Sequence, residues 1–251
     1  MNIKYLSLTL AVVLCTGCGS SSKSSIKSND GEGKIDLREY YPKESIAKTF
    51  NLVERDGDNV YNSNSIETIE VVDDTITTRI DTEVIEKVVF TDKNITTSSF
   101  DDGKTEIDKM YRHIDLGDTV LKDTRASTVN NDLGQIITTL TSICKVKSKE
   151  ERFEKNDHIY KGDLLKIECI SEGTIVYDIK QAILNAGAAT DLNGTHNIYD
   201  TSYIYVKKDL GVVATIDNDC VTNSKIPGLI NDKAAEAECI KKQYGYEFYI
   251  P

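Results

Sequence analysis

Cysteine is the residue type with the clearest chemistry in this sequence, which contains six of them. Two lie within the first eighteen positions, and four follow much later: Cys144, Cys169, Cys220 and Cys239. These four include no CxxC pair and have no neighbouring histidine, which argues against a cysteine-rich zinc site. If the chain is exported, their even number predicts two disulfides with three possible pairings, and free buried thiols are the alternative.

Other residues that could do acid–base or metal chemistry are sparse. The three histidines, His113, His158 and His196, lie far apart, and no HExxH motif occurs. We interpret each histidine as a surface or turn residue rather than a ligand or a base. GxSxG, a Walker loop and GxGxxG are also missing from the sequence. The sequence therefore predicts no catalytic, cofactor-binding or metal-binding residue, and it favours a non-enzymatic protein.

Two acidic clusters, at residues 56–59 and 217–219, have the alternating oxygen ligands of a calcium site. Neither cluster extends to the glutamate that closes an EF-hand loop. Because Asp, Asn and Gly are also the usual residues of tight turns, we predict turns at both places. The 13 tyrosines, in a chain without tryptophan, could line a binding face, but ordinary strand packing explains them more simply.

The first eighteen residues have the pattern of an export signal. Lys4 lies in a short basic start, an uncharged and mostly apolar run covers residues 5–13, and small residues precede Cys18. The run is too short for a spanning helix, which needs about 20 apolar residues. Residues 14–18, LCTGC, resemble the lipobox of bacterial lipoproteins, although Cys15 stands where that family usually has leucine. An ordinary cleaved signal without lipid is the alternative.

The resemblance to lipoproteins implies that Cys18 is lipidated and becomes the mature N-terminus, with acyl chains such as palmitate. Two or three chains are usual in this family, and stable anchoring needs more than one. Gly19 rather than aspartate follows the cysteine, which in this family implies the outer membrane where the host has two. We therefore predict a signal peptide over residues 1–17 and a flexible, Ser- and Gly-rich linker over residues 18–35.

The remaining residues, 36–251, are enough for a single domain with a substantial core. The formal net charge is −11, and removing residues 1–17 removes one lysine and no acid, which makes it −12. An acidic chain of this kind argues against nucleic-acid binding and against docking on anionic headgroups. The predicted partners are the membrane, through the lipid, and an unidentified protein or lipid.

Strand-like segments dominate this domain. Residues 75–80, 83–90 and 105–111 are rich in Thr, β-branched and aromatic residues, and polar turn clusters separate them. Because no helical pattern intervenes, these segments predict a mainly β fold, with an antiparallel meander that forms a large curved sheet, a sandwich or a half-barrel. A further hairpin is predicted around residues 207–210, and a terminal strand at residues 246–250.

One hairpin can be predicted in register. Placing Cys144 opposite Cys169 puts the turn at residues 156–157, an Asn-Asp pair that tolerates positive φ. The same register pairs Phe153 with Tyr160, a favourable aromatic combination across two strands. These agreements favour a Cys144–Cys169 disulfide.

A helix is predicted near the C-terminus, over residues 232–244. An Asn or Asp can cap its start, lysines suit its last turn, and Gly245 ends it. Cys239 lies on this predicted helix, so a Cys220–Cys239 disulfide would join it to the preceding strand. Residues 181–189 could form a second, short helix.

These features predict a membrane-anchored envelope lipoprotein that acts as a non-enzymatic binding or structural module. A periplasmic lipid carrier is one alternative, since a curved sheet with a covering helix can enclose an apolar cavity. A hydrolase with a carboxylate site and a surface adhesin are the others. A large apolar cavity would favour the carrier, whereas carboxylates converging in a polar cleft would favour the enzyme.

Overall fold

The protein is built almost entirely from antiparallel strands. The computed structural model describes residues 34–56, 59–101, 104–130, 134–155, 157–185, 193–222 and 245–250. Within these ranges the helices are a 3-10 turn (Leu37–Tyr40) and the five-residue α1 (Gln181–Asn185). The strands are β1 (Ile35–Asp36), β2 (Ile46–Asp56), β3 (Asn59–Val72), β4 (Thr75–Ile80), β5 (Glu83–Phe90), β6 (Asn94–Asp101), β7 (Lys104–Tyr111), β8 (His113–Ile114), β9 (Thr119–Asn130), β10 (Gly134–Lys155), β11 (His158–Ile179), β12 (Gly194–Lys207), β13 (Gly211–Thr222) and β14 (Gly245–Ile250).

Twelve strands form one continuous sheet in the order β7-β6-β5-β4-β3-β2-β14-β13-β12-β11-β10-β9. Strands β2 to β7 make a first meander and β9 to β13 a second one, each in chain order. β14 lies between β2 and β13 and is hydrogen-bonded to both, so it joins the two meanders. The described sheet does not close into a barrel, since β7 and β9 remain its two edges. The predicted mainly β, antiparallel fold is confirmed.

Both meanders contribute to one hydrophobic core. Alternation along each strand directs every second side chain to the same face of the sheet. We call the face that carries this core the covered face. Ile76 and Val88 of the first meander meet Val146, Ile167 and Ile204 of the second in this core. The predicted strands at residues 75–80 and 83–90 coincide with β4 and β5.

A segment before the large sheet packs on the covered face, and we call residues 34–42 the strap. Its Leu37 and Tyr40 are buried in the core. β1, which lies in the strap, pairs with β8. Asp36 accepts two hydrogen bonds from the Arg112 guanidinium, at 2.8 and 2.7 Å. At its other end the strap reaches the β12–β13 turn, where the Asp209 amide donates to a strap carbonyl.

The predicted β10–β11 hairpin is confirmed, including its register. Cys144 pairs with Cys169 and Phe153 with Tyr160, while two register shifts between these pairs compensate each other. Asp157 in the turn has φ +66°, as the choice of residue type predicts. The Cys144–Cys169 disulfide is present, with a Cα–Cα distance of 4.0 Å.

A second apolar cluster lies on the opposite, outer face of the second meander. Phe153 stacks on Tyr205 with ring centroids 3.8 Å apart, and Tyr160 lies on the other side of Phe153 at 6.1 Å. Leu164 and Val213 are fully buried in the same cluster. Several strand tyrosines therefore serve packing, as the simpler interpretation predicts.

Two predictions about local structure need correction. Ile35, placed in the linker, is buried and pairs with Ile114, because pairing of β1 with β8 and burial of this one apolar side chain outweigh the polar character of the segment before it. Residues 217–219 do not form a turn; they continue β13, where pairing with β12 outweighs their turn propensity. The strand predicted at residues 105–111 is confirmed as β7, which begins one residue earlier.

The remaining local predictions are confirmed, described only in part, or outside the described ranges. The hairpin around residues 207–210 is confirmed as β12–β13, with strands longer than predicted, and the terminal strand is confirmed as β14. The weaker helix prediction at residues 181–189 has α1 as its described part. The predicted signal peptide, most of the linker and the predicted helix at 232–244 lie outside the described residues. Neither described helix has the length and apolar character required to cross a bilayer.

Candidate functional site

Charged side chains are buried on the covered face of the first meander. Lys48 of β2 and Glu67 of β3 are directly opposite each other in the sheet, and both are 2 % exposed. Glu86 of β5 is 3 % exposed and lies between Thr78 of β4 and Ser99 of β6. Burying a charge is costly unless it is compensated, so this cluster is a candidate site rather than ordinary core.

Lys48 is held from two sides. Its Nζ donates a hydrogen bond of 2.9 Å to the Val212 carbonyl oxygen and lies 5.6 Å from the Phe50 ring centroid. A buried ammonium held in this way can balance one carboxylate. Glu67, the residue opposite, is the carboxylate whose charge Lys48 favours.

Burial makes both glutamates weaker acids than a glutamate in water. It raises the pKa of Glu67 to about 7, even though the Lys48 charge acts in the opposite direction. Burial raises the pKa of Glu86 to about 8, and the negative charge of Glu67 adds to that increase. Near neutral pH the cluster therefore holds fewer than two negative charges, and its charge state changes within the physiological range.

These groups line a partly open cavity of about 50 Å³. A cavity of this size holds a few water molecules. The strap covers it with Tyr40, Tyr41 and Pro42. Gly211 forms part of the wall with φ +83°, and a Cβ there would lie 3.3 Å from the Pro42 ring and 3.4 Å from the Lys48 ammonium. The close approach of the strap thus depends on a glycine.

A groove of about 500 Å³ lies on the outer face of the β10–β11 hairpin. Charged residues of both signs alternate with isoleucines along it, because they occupy outward positions on the two strands. Lys147 forms an ion pair with Glu168 at 2.8 Å across the groove. Its other lining residues are Gly117, Thr141, Ile143, Lys145, Val146, Ile170 and Glu172.

The predicted site residues have different outcomes. Cys144 and Cys169 are brought together as predicted. Cys220 lies in β13, whereas Cys239 lies outside the described residues, so their disulfide remains a prediction. Cys18 and its lipidation also lie outside the described residues and remain predictions.

The histidines are partly as predicted. His113 and His158 are half-buried at the start of strands. His196 is 2 % exposed, so its prediction as a surface or turn residue is wrong. Strand alternation places it on the same face as Ile204, where its ring packs edge-on against Tyr177 at 5.3 Å.

The buried cluster was not among the predicted sites. Lys48, Glu67 and Glu86 look like surface residues, and glutamate and lysine are rarely buried. A signal was present in β5, where Glu86 stands two positions before Val88 and four before Phe90, on the face that those residues bury. The described residues contain no group of three or more His, Cys, Asp or Glu side chains that could hold a metal ion.

Comparison of this chain with protein-family models, characterised proteins and solved structures gave no match. The function has to be inferred from the site geometry and from the sequence features.

Proposed function

We propose that the protein is a lipid-anchored module of the bacterial cell envelope, in which a curved, half-open sheet binds a protein partner without catalysing a reaction. The observation that carries this proposal is the contrast between its two faces. The strap fills the covered face, whereas the outer face of the β10–β11 hairpin carries an accessible groove of about 500 Å³. A partner therefore has access to the outer groove.

The chemistry of the groove suits a polypeptide. Lys145 and Lys147 lie near Glu168 and Glu172, and Ile143 lies among them on the same face. Protein interfaces combine an apolar centre with a charged rim, and pairs of opposite charge select the partner and its orientation. An extended segment with an apolar residue flanked by charges of both signs fits this pattern.

A lipid carrier has less support. The apolar space beneath the strap, lined by Leu37, Met110 and Ile167 among others, amounts to about 10 Å³. Ligand sites for drug-sized molecules are clefts of about 300–1,000 Å³. An acyl chain could enter this space only if the strap left it.

A hydrolase has one observation in its favour, since Glu67 and Glu86 converge on one cavity. The strap lines one side of this cavity, and its volume of about 50 Å³ is far below the roughly 300–1,000 Å³ of sites for small organic molecules. For this reason we place the function in the outer groove and treat the buried cluster separately.

The anchor follows from the resemblance of residues 14–18 to a lipobox. The membrane attachment would be at Cys18, and the outer membrane is the proposed location. Replacing Cys18 with alanine is expected to move the protein from the membrane to the soluble fraction of lysed cells. A Cys18→Ala protein that still sediments with membranes would refute the anchor.

Crosslinking in the native envelope tests the groove. A photoreactive amino acid at position 145 is expected to give a discrete protein adduct. The matched control is position 87, where an exposed lysine points outward from β5 of the first meander. Equal adducts at both positions, or none at position 145, would contradict a partner in the groove.

A further inference from the structure

The cavity under the strap has the composition of a small cation site. Glu67 and Glu86 both line it, and each has one buried carboxylate oxygen without a hydrogen-bond partner among the described residues. Thr78, opposite Glu86 in the sheet, is the hydroxyl residue of the lining. The buried hydroxyls of Thr97 and Ser99, on neighbouring β6 outside the lining, also have no partner among the described residues. Carboxylates and hydroxyls are oxygen ligands, the kind that hard cations prefer.

The charges that face this cavity determine the charge of its ligand. Its described lining contains two glutamates and one lysine, Lys48. With both carboxylates ionised the group has a net charge of −1, which a monovalent cation neutralises. A divalent cation would leave the cavity positive and would lie close to the Lys48 ammonium, at high cost in a buried site.

The volume of the cavity points to the same class of ligand. About 50 Å³ admits a bare ion together with a few water molecules. Organic ammonium ions such as choline are too large for it. Tyr40, Tyr41 and Pro42 of the strap would shield one side of the ion from solvent.

We propose that this cavity binds one small monovalent cation of the sodium class, held by Glu67 and Glu86 and completed by water and by the Thr78 hydroxyl. Lys48 compensates one carboxylate, and the cation compensates the other. Because the strap covers the site, the bound ion stabilises the packing of the strap on the first meander. This site is independent of the outer groove and of the partner proposed for it.

The test compares sodium chloride with choline chloride at equal ionic strength, using the full-length protein in a non-ionic detergent. It is done above pH 8, where Glu86 is ionised. Sodium is expected to raise the midpoint of thermal unfolding by roughly 3–6 °C over choline when its concentration is about ten times its dissociation constant. Glu86→Gln should remove this difference, while Glu83→Gln, an exposed carboxylate on the same strand, should keep it.

A direct readout covers the case in which Glu86→Gln does not fold. Addition of the wild-type protein should broaden the sodium-23 resonance, and an excess of a competing small cation should reverse the broadening. Equal midpoints in sodium and choline, together with an unbroadened resonance, would overturn the proposal. A larger stabilisation by calcium than by sodium at equal concentration would overturn the monovalent assignment.

Discussion

The two meanders of one sheet contribute to a common core, yet they differ in what they bury. The first places Lys48, Glu67 and Glu86 on the covered face, beside its aliphatic side chains. At the corresponding depth the second buries a disulfide, Cys144–Cys169, together with valine, leucine and isoleucine. The second meander is thus stabilised mainly by apolar burial and a covalent link, while the first retains buried carboxylates that oppose its stability at high pH.

This difference indicates a division of roles. A disulfide and a largely apolar core fix the long hairpin, which carries the outer groove that we propose as the binding surface. The first meander tolerates the cost of buried charge beneath the strap. Buried ionisable groups that weaken a fold are characteristic of functional sites, which is why we assign a ligand to this half.

The largest effect that would distinguish the meanders is a pH dependence of unfolding. Folding raises the pKa values of Glu67 and Glu86 above 4.5, so the folded state binds more protons than the unfolded one. Stability should therefore fall as pH rises from about 4.5 to 8, by roughly several kcal/mol in total.

Denaturant unfolding as a function of pH, with choline as the buffer cation, measures this effect. Glu86→Gln cannot ionise, so its stability relative to the wild type should improve as pH rises. A wild-type profile parallel to that of Glu86→Gln would show that the buried charge does not distinguish the two halves.

Removing the buried lysine should have the next largest effect. Lys48→Met leaves Glu67 without its compensating charge, and loss of one partner of a buried pair costs about 3–5 kcal/mol. The loss should be greater at pH 8 than at pH 5, because Glu67 can take up a proton at the lower pH. Adding Glu67→Gln should recover much of the stability, and a double variant no better than Lys48→Met would argue against coupling.

The second meander should respond to loss of its covalent link and not to pH. Replacing both Cys144 and Cys169 with alanine opens a cross-link between residues 25 positions apart. The expected loss is about 3 kcal/mol, from the greater freedom of the unfolded chain. The loss should be similar at pH 5 and pH 8 in denaturant titrations. A strongly pH-dependent loss would show that the two meanders do not differ in how their stability depends on pH.

The smallest expected effect concerns the strap, which touches both meanders. Arg112→Met removes the paired hydrogen bonds to Asp36 and should cost about 1–2 kcal/mol. Burial raises the pKa of Asp36, but hydrogen bonds and the Arg112 charge outweigh it, so the pKa is lowered. The contribution is therefore present near neutral pH and is lost as pH falls through the Asp36 titration.

Arg79→Met is the matched control for the strap, because Arg79 pairs with Glu70 on the exposed surface. Exposed ion pairs contribute about 0–1 kcal/mol, so this variant should be nearly neutral. Equal losses in the two variants would mean that the strap adds no more stability than an ordinary surface contact.

Local pattern predicted much of the fold. Alternation and turn residues located β4 and β5, and the paired cysteines determined the register of the long hairpin. These features depend on neighbours in the chain, which a sequence displays directly. The position of β14 between β2 and β13 depends on pairing between residues far apart in the sequence. Apolar–polar alternation within a strand does not indicate which strands pair.

The signal for the buried cluster in β5 was not sufficient to predict it, for a related reason. Whether Glu86 faces solvent or core depends on which face of the sheet is covered, and the strap determines that face. Its neighbours Val88 and Phe90 show that this side of β5 is apolar at one end. The change from apolar to charged side chains within this face is seen only when β2, β3, β4 and β5 are placed side by side in the sheet.

The position of β14 also bears on the order in which the sheet forms. Gly245 pairs with Glu54 and Ile250 with Thr49, partners separated by about 200 residues, whereas every other described pairing in the large sheet, including β13 with β14, joins strands much closer together in the sequence. Closing so long a loop carries a large entropic cost and slows formation of such contacts. The meanders can therefore collapse as two local units, and the step that unites them waits for β14. Until then β2 and β13 both present unpaired edges, which makes this interval the one in which the chain is most exposed to aggregation or to capture by a chaperone.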